Sequence, residues 1–382
     1  MPAGVDKLGV VAAALLGLGA AAPFALYRAN RIATGEARGV LDAVPTGPAL
    51  GFLALLAAVA VLAALRTRPW IRLAAASLLL VAAALLVGAT ADHLTPPGDR
   101  YARVSPGSGF WILLFAGGLL LADAIVRLRL RPLLRVAALA LTAAVLGLAL
   151  HAGLWSGLSI LKEYANRADV FWREATTHLL LALGSLAAAA AVGLPLGILL
   201  ARAAPLRAPV LNVLNMVQTI PSIALFGMLI APLGWVAAHV PGAAALGIRG
   251  IGTAPAFVAL FLYSLLPVVA NTVVGLRGVP AAAVEAARGM GMTVGQRLVA
   301  VDLPLALPVI LTGIRIVLVQ NIGLATVAAL IGGGGFGVFV FLGIGQTAPD
   351  LILLGAVPTV LLAFAAAVVL DAAVEGASGG RP

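Results

Sequence analysis

The sequence contains no cysteine, which excludes a disulfide framework, a thiol nucleophile and a thiolate metal site. Histidine is also scarce, and no spacing among the four suits a metal: His93, His151, His178 and His239. The only lysines, Lys7 and Lys162, lie outside a GK[ST] context, so we expect no Walker-type ATP site in this chain. We therefore predict that the chain binds no metal or cofactor itself and is not an enzyme.

Charged residues are scarce as well, at 10% of the chain, whereas 62% of its residues are hydrophobic and the mean hydropathy is +1.12. A membrane-spanning helix needs about 20 apolar residues, and hydrocarbon requires its backbone to be hydrogen-bonded internally. We therefore predict an all-α polytopic membrane protein with about ten transmembrane helices. The predicted spans are residues 8–27, 48–65, 73–91, 109–126, 136–156, 179–201, 209–231, 254–276, 305–331 and 351–371. The first is expected to be retained, because it lacks a basic leader and a persuasive cleavage site.

The net charge of +10 comes from arginines in short loops between the apolar spans. This pattern is typical of topology determinants rather than of a phosphate-binding stripe, so we expect no nucleic-acid partner. The loops predicted to be cytoplasmic carry the clusters Arg66, Arg68, Arg72, Arg127, Arg129, Arg131, Arg135, Arg202, Arg207, Arg277, Arg288 and Arg297. The positive-inside rule then places both termini in the cytoplasm.

One loop, residues 277–304, is charged and glycine-rich between two apolar spans. Pro280 suits the first turn of a helix, and Gly289 and Gly291 suit its C-terminal stop. Thr293 and Gln296 have the spacing of a capping box, which predicts a second short helix that ends at Pro304. The 277–304 loop is therefore expected to be a compact helical hairpin.

The spacing of Glu-Ala-Ala, Gly291 and Leu303-Pro304 resembles the EAA loop of bacterial ABC importer permeases. In those permeases such a hairpin sits in a groove of the ATPase subunit. The resemblance implies that the loop couples this chain to a separate ATPase, which uses the ATP. The residues implied are Glu285, Ala286, Ala287, Gly291, Leu303 and Pro304.

Three further stretches, residues 215–234, 261–278 and 308–337, are similar to core spans of the permeases that import glycine betaine, choline and carnitine. The resemblance implies a type I ABC permease core in the C-terminal half and an osmoprotectant as the solute. It also implies cytoplasmic ATPase subunits, an extracytoplasmic substrate-binding protein, and a second permease copy or a shorter permease relative. The expected location is the bacterial inner membrane, in contact with its lipid.

Polar and helix-breaking residues in these spans are candidates for a pathway or a gate. They are Gln218, Thr219, Pro221, Ser222, Tyr263, Pro267, Asn271, Arg315, Gln320 and Asn321. A proline-broken membrane helix is tolerated where polar groups or water satisfy the freed carbonyls, which favours a wet pathway. The alternative is that the amides and hydroxyls only tie helices together, at about 0.6 kcal/mol each. Both interpretations stay open.

Arg315 lies well inside the ninth predicted span. An arginine at mid-membrane costs at least about 2.5–3.5 kcal/mol, so it should face protein or a wet cavity. A structural partner or a gate is the favoured role, because a quaternary ammonium would be repelled, although a betaine carboxylate would not.

The chain is predicted to contain two membrane modules. Residues 1–157 form five spans, 158–178 an external polar connector helix, 179–371 the five-span permease core, and 372–382 a cytoplasmic tail. The first module resembles the extension of larger permease subunits in some osmoprotectant systems. Two alternatives remain: a permease for another small solute, such as methionine or phosphonate, and a membrane scaffold or ionic-strength sensor. The sensor would use the Arg-rich loops at 66–72 and 127–135 against anionic lipid, an attraction that salt screens.

Overall fold

The computed structural model describes residues 4–31, 33–99 and 101–379, which cluster into two compact units. The first unit comprises Met1–Leu134 and Ala140–Asn166, and the second comprises Arg135–Leu139 and Arg167–Pro382. Within the described ranges, nine helical segments are long and apolar enough to cross a membrane. The fold is thus mainly helical, as predicted.

The helices of the first unit, with α6 shared between the two, are α1 (Lys7–Ala21), α2 (Val40–Ala43), α3 (Thr46–Ala64), α4 (Pro69–Leu94), α5 (Ser108–Leu128), α6 (Pro132–His151) and α7 (Ser159–Ala165). Three short strands, β1 (Ala25–Arg28), β2 (Glu36–Arg38) and β3 (Arg103–Pro106), form an antiparallel sheet in the order β2-β1-β3. Ala25 pairs with Arg38 on one side and with Pro106 on the other. The sheet was not predicted, and the predicted span 8–27 is too long because helix α1 ends at Ala21.

Two acidic and two basic side chains form a charge network in the first unit. Asp6 caps the start of α1 by accepting from the Gly9 N–H at 3.1 Å. Its other oxygen lies 3.2 Å from Arg72 Nη1 and 2.7 Å from Arg127 Nη2. Asp123 also pairs with both arginines. Arg72 is only 2% exposed, so opposite charges and the carbonyl groups that its Nη2 contacts compensate its burial.

The second unit contains the helices α8 (Ala168–Arg202), α9 (Ala204–Thr219), α10 (Ser222–Met228), α11 (Ile230–His239), α12 (Thr253–Arg277), α13 (Ala281–Gly289), α14 (Val294–Arg297), α15 (Leu303–Leu324), α16 (Gly337–Gly345) and α17 (Pro349–Ala377). A π-helical turn, Leu298–Asp302, joins α14 to α15, and a 3-10 turn, Val327–Ile331, follows α15. The segment 158–178, expected as one connector helix, is divided between α7 and the first turns of α8. Helix α8 contains no proline before Pro195, so it continues into the apolar span.

Small residues allow α8, α12 and α15 to pack closely. A Cβ at Gly193 of α8 would lie 2.8 Å from the Val268 side chain of α12. A Cβ at Gly313 of α15 would lie 2.9 Å from the Pro267 carbonyl oxygen. Close backbone approach at small residues is a main source of helix association in membranes, so these glycines hold the core of this unit together.

Candidate functional site

The 277–304 loop is a hairpin of short helices, as predicted, and its hinge is Gly291. Gly291 has φ +77°, the left-handed conformation that glycine adopts without a steric penalty. The predicted capping box is present, since the Gln296 N–H donates to Thr293 Oγ1 and the Thr293 N–H donates to Gln296 Oε1. The turn at Gly291 and the start at Thr293 therefore follow directly from the local sequence.

The second helix of the hairpin does not end at Pro304, contrary to the prediction. Leu303 and Pro304 form the first turn of α15, which follows the π-helical turn without a break. The Leu303 N–H bonds back to the Leu298 carbonyl, five residues earlier. This wider turn accommodates Pro304, because the ring of a proline inside a regular α-helix clashes with the carbonyl of the preceding turn, and the π-helical turn changes the position of that carbonyl. It also lets Arg297 Nε reach Asp302 Oδ2 at 3.1 Å.

The outer face of the 277–304 loop combines charge with apolar surface. Glu285 and Ala286 are exposed, whereas Ala287 is 1% exposed and packs inward. Three large apolar side chains of the same loop are also exposed: Met290, Val294 and Val299. The loop therefore offers both charge and apolar surface to a partner protein.

Two prolines and two polar side chains brace α9 against α12. Pro221 separates α9 from α10, and Tyr263 Oη donates to the Ile220 carbonyl at that break, at 2.5 Å. Pro267 lies inside α12 and cannot donate to the carbonyl of Tyr263, four residues earlier. Gln218 Nε2 donates to that carbonyl instead, at 2.7 Å. Each helix therefore supplies a donor for a carbonyl of the other.

The other polar candidates in these spans mostly bond to their own helix. Thr219 Oγ1 donates to the Met216 carbonyl at 2.7 Å, and Asn271 Nδ2 donates to the Pro267 carbonyl at 2.8 Å. Ser222 begins α10 and is partly exposed.

Asn321 is fully buried and joins three helices. Its Nδ2 donates to Ser185 Oγ of α8 and to Ser264 Oγ of α12, both at 2.9 Å. Its geometry favours the helix-tying interpretation over the pathway one. Its neighbour Gln320 is partly exposed and points to a different side of α15.

Arg315 has an acidic partner that the sequence did not reveal. Its Nη1 donates to Asp371 Oδ1 of α17. The two residues line a groove of about 630 Å³ between α15 and α17, together with Gln320 and four aliphatic residues. The side chains of Arg315 and Asp371 are 36% and 43% exposed, so the pair opens onto the groove.

Glu174 and His178 are further polar residues whose contacts the sequence did not predict. They lie four apart on α8, and both accept from the glycine-rich turn before α16. The Gly335 N–H donates to Glu174 Oε2 at 2.8 Å, and the Phe336 N–H donates to His178 Nδ1 at 3.4 Å. Their spacing of four residues places both on one helix face, and this was the sequence pattern that could have indicated a shared partner.

The chain matches two protein families over complementary parts. Residues 193–376 match the family described as the binding-protein-dependent transport system inner membrane component. Residues 6–161 match the family described as the N-terminal domain of the ABC transporter permease YehY. These matches and the helical core define the class: an inner-membrane permease component of an ABC transporter.

Relatives among curated proteins narrow this class. The carnitine transport permease OpuCB of Listeria monocytogenes is 41% identical over 49% of this chain and 78% of its own length. The osmoprotectant import permease OsmW of Salmonella typhimurium is 44% identical over 51% of this chain and 83% of its own length. The choline transport permease OpuBB of Bacillus subtilis is 38% identical over 49% of this chain and 78% of its own length. The chain therefore belongs to the family of binding-protein-dependent ABC permeases that contains these osmoprotectant permeases.

A solved structure of the MetNI methionine ABC transporter, in an inward-facing conformation, also aligns with this chain. It covers 54% of this chain and 96% of its own chain, at 24% identity and a TM-score of 0.45.

Proposed function

We propose that this chain forms the pathway of an importer for small quaternary-ammonium osmoprotectants, such as glycine betaine, choline and carnitine. The observation that carries the choice of solute is the shared chemistry of the relatives: one is named for carnitine, one for choline and one for osmoprotectants. Carnitine and choline each contain a quaternary ammonium group.

The chain is proposed to use ATP only through a partner. The exposed face of the 277–304 loop, with Glu285, Ala286 and Met290, seats in a cytoplasmic ATPase subunit, while buried Ala287 keeps the hairpin slim. Gly291 sets the hairpin angle, and Leu303 and Pro304 join the hairpin to α15. The arginine-rich loops support an orientation with this loop and both termini in the cytoplasm.

The proposed assembly has further members. A substrate-binding protein delivers the solute from outside, and a second permease copy or a shorter relative completes the pathway. The proposed core is 179–371 and the proposed N-terminal module is 1–157, with 158–178 between them. Tight recognition of the quaternary ammonium is assigned to the binding protein, because such recognition uses aromatic cages and only 5% of this chain is aromatic.

The test is ATPase activity of the purified complex. The chain is co-purified with its co-encoded ATPase and binding protein, and hydrolysis is measured with glycine betaine, choline, carnitine, proline and methionine. We expect stimulation by the quaternary amines alone. Stimulation by methionine alone would keep the permease and overturn the solute, and absence of any ATPase complex would overturn the coupling.

A further inference from the structure

The groove between α15 and α17 contains charged side chains that are both paired and partly exposed. It holds an ion pair, Arg315 with Asp371, and both side chains are more than a third exposed. Both residues belong to helices long and apolar enough to cross the bilayer. Charged side chains at membrane depth face protein or water rather than lipid, because hydrocarbon does not solvate them. The groove is therefore open to water or to another polar surface.

The charged side chains of the groove are paired, but Asp371 is shared between two arginines. Asp371 Oδ2 also accepts from Nη1 of Arg135, within the 135–139 stretch of the second unit, at 2.9 Å. Arg135 pairs in turn with Glu375, so Asp371 keeps a basic partner when its contact with Arg315 opens. Gln320, on the same wall, adds an amide that can donate a further hydrogen bond.

A zwitterion matches this arrangement. Glycine betaine and carnitine carry a quaternary ammonium at one end and a carboxylate at the other. A guanidinium binds a carboxylate with two parallel hydrogen bonds, and a carboxylate attracts an ammonium. When such a solute enters, one internal ion pair is exchanged for two pairs with the solute. The charges of the groove and of the solute balance both before and after entry.

We propose that Arg315 and Asp371 form a transit site for zwitterionic osmolytes, in which Arg315 takes the carboxylate and Asp371 the quaternary ammonium. The inference rests on the proposed function. The volume of about 630 Å³ is ample for a small zwitterion. None of the described residues that line the groove is aromatic, so the site holds the solute weakly, as a passage requires.

The first experiment compares two solutes in the complete complex reconstituted in liposomes. Choline has the quaternary ammonium but no carboxylate. Arg315→Gln is expected to lower the ratio of glycine betaine to choline uptake about tenfold, the effect of losing one charge-assisted hydrogen bond. Asp371→Asn is expected to lower uptake of both solutes. Arg249→Gln, an exposed arginine outside the groove, should leave both unchanged.

Other outcomes of this experiment distinguish a failure of the transit site from a failure of the proposed function. An equal loss of both solutes in Arg315→Gln would assign the pair to structure alone and overturn the transit site, and so would unchanged uptake. If the wild-type complex imports neither solute while it hydrolyses ATP with another, the proposed function fails, and the transit site fails with it.

A second experiment does not depend on the charged residues. Because the sequence has no cysteine, a single cysteine can be introduced without background labelling of this chain, which is separated from its partners on a gel after labelling. Val368→Cys lies in the groove, and Val360→Cys lies on the same helix outside it. A charged thiol reagent should label the Val368→Cys variant, and glycine betaine should slow that labelling during turnover without changing the labelling of Val360→Cys. No labelling at 368, or no protection there, would overturn the site.

Discussion

Gly291 shows how one residue sets the shape of the 277–304 loop. It has φ +77°, and a Cβ added there would meet no heavy atom of the described residues within 4 Å. Within this chain, the effect of a substitution therefore comes from backbone strain rather than from a clash. The left-handed conformation costs an ordinary residue about 1–2 kcal/mol, more for a β-branched residue and less for asparagine.

We expect Gly291→Val to abolish ATPase stimulation by the loaded binding protein, because the hairpin can no longer hold its angle. Gly291→Asn should retain most of it, since asparagine tolerates this conformation. Both variants should insert into the membrane normally. The measurement is stimulated ATPase activity at equal membrane content, and equal activity of the two variants would argue against a role for the turn.

At the scale of single residues, the sequence predicted contacts between near neighbours in the chain but not contacts between residues far apart in it. Gly291, Thr293 and Gln296 act through neighbours within three residues, so their spacing predicted the turn and the cap. Arg315 was predicted to need a partner, yet Asp371 lies 56 residues away. Nothing in the spacing distinguishes that aspartate from others, because the pairing depends on how α15 and α17 pack.

At the scale of helices, the sequence predicted the apolar spans and the helix break at Pro221. It did not predict the three-stranded sheet or the continuous path from α14 into α15. The three-stranded sheet has strands of only three or four residues, too short for a periodic signal. Pro304 was predicted to end a helix, but the π-helical turn before it allows the helix to continue. Local propensity could not show that turn.

The bracing of α9 against α12 makes a prediction that depends on two helices together. Gln218→Leu leaves the Tyr263 carbonyl without a donor, which should destabilise the protein by about 1–3 kcal/mol. Pro267→Ala restores a backbone N–H four residues after Tyr263 and should rescue Gln218→Leu, because both groups serve the same carbonyl. The measurement is thermal unfolding in detergent.

The matched control is Pro308→Ala, which also removes a proline from a helix interior but lies in α15. It should not rescue Gln218→Leu. Equal rescue by the two alanines would mean that general helix propensity, rather than the Tyr263 carbonyl, explains the effect.

At the scale of the whole molecule, each unit contains its own network of charged side chains. Arg315, Asp371 and Arg135 are paired in the second unit, and Asp6, Arg72, Asp123 and Arg127 in the first. Burial alone raises the pKa of Asp6. The Gly9 N–H and the guanidinium groups of Arg127 and Arg72 outweigh burial and hold that pKa below its usual value.

A carboxyl group with a lowered pKa stabilises the folded state above its unfolded pKa, and this contribution disappears as the pH falls through the folded value. Wild type should therefore be more stable than Asp6→Asn at neutral pH, and the difference should shrink below about pH 4. The measurement is thermal unfolding of the full chain in detergent from pH 7 to pH 3. A difference independent of pH would contradict the assignment.

The unbroken path from α14 through the π-helical turn into α15 has a mechanical consequence. Val294–Leu324 is 31 residues long. At about 1.5 Å per residue it is a rod of about 46 Å, and a swing of ~10° at one end displaces the other by about 8 Å. Under the proposed function, the hairpin and α15 act as one lever, with Arg315 about 32 Å from its Val294 end. A rotation of ~10° at the hairpin would move Arg315 by about 5 Å, so a small movement of the ATPase reaches the groove between α15 and α17 as a larger displacement.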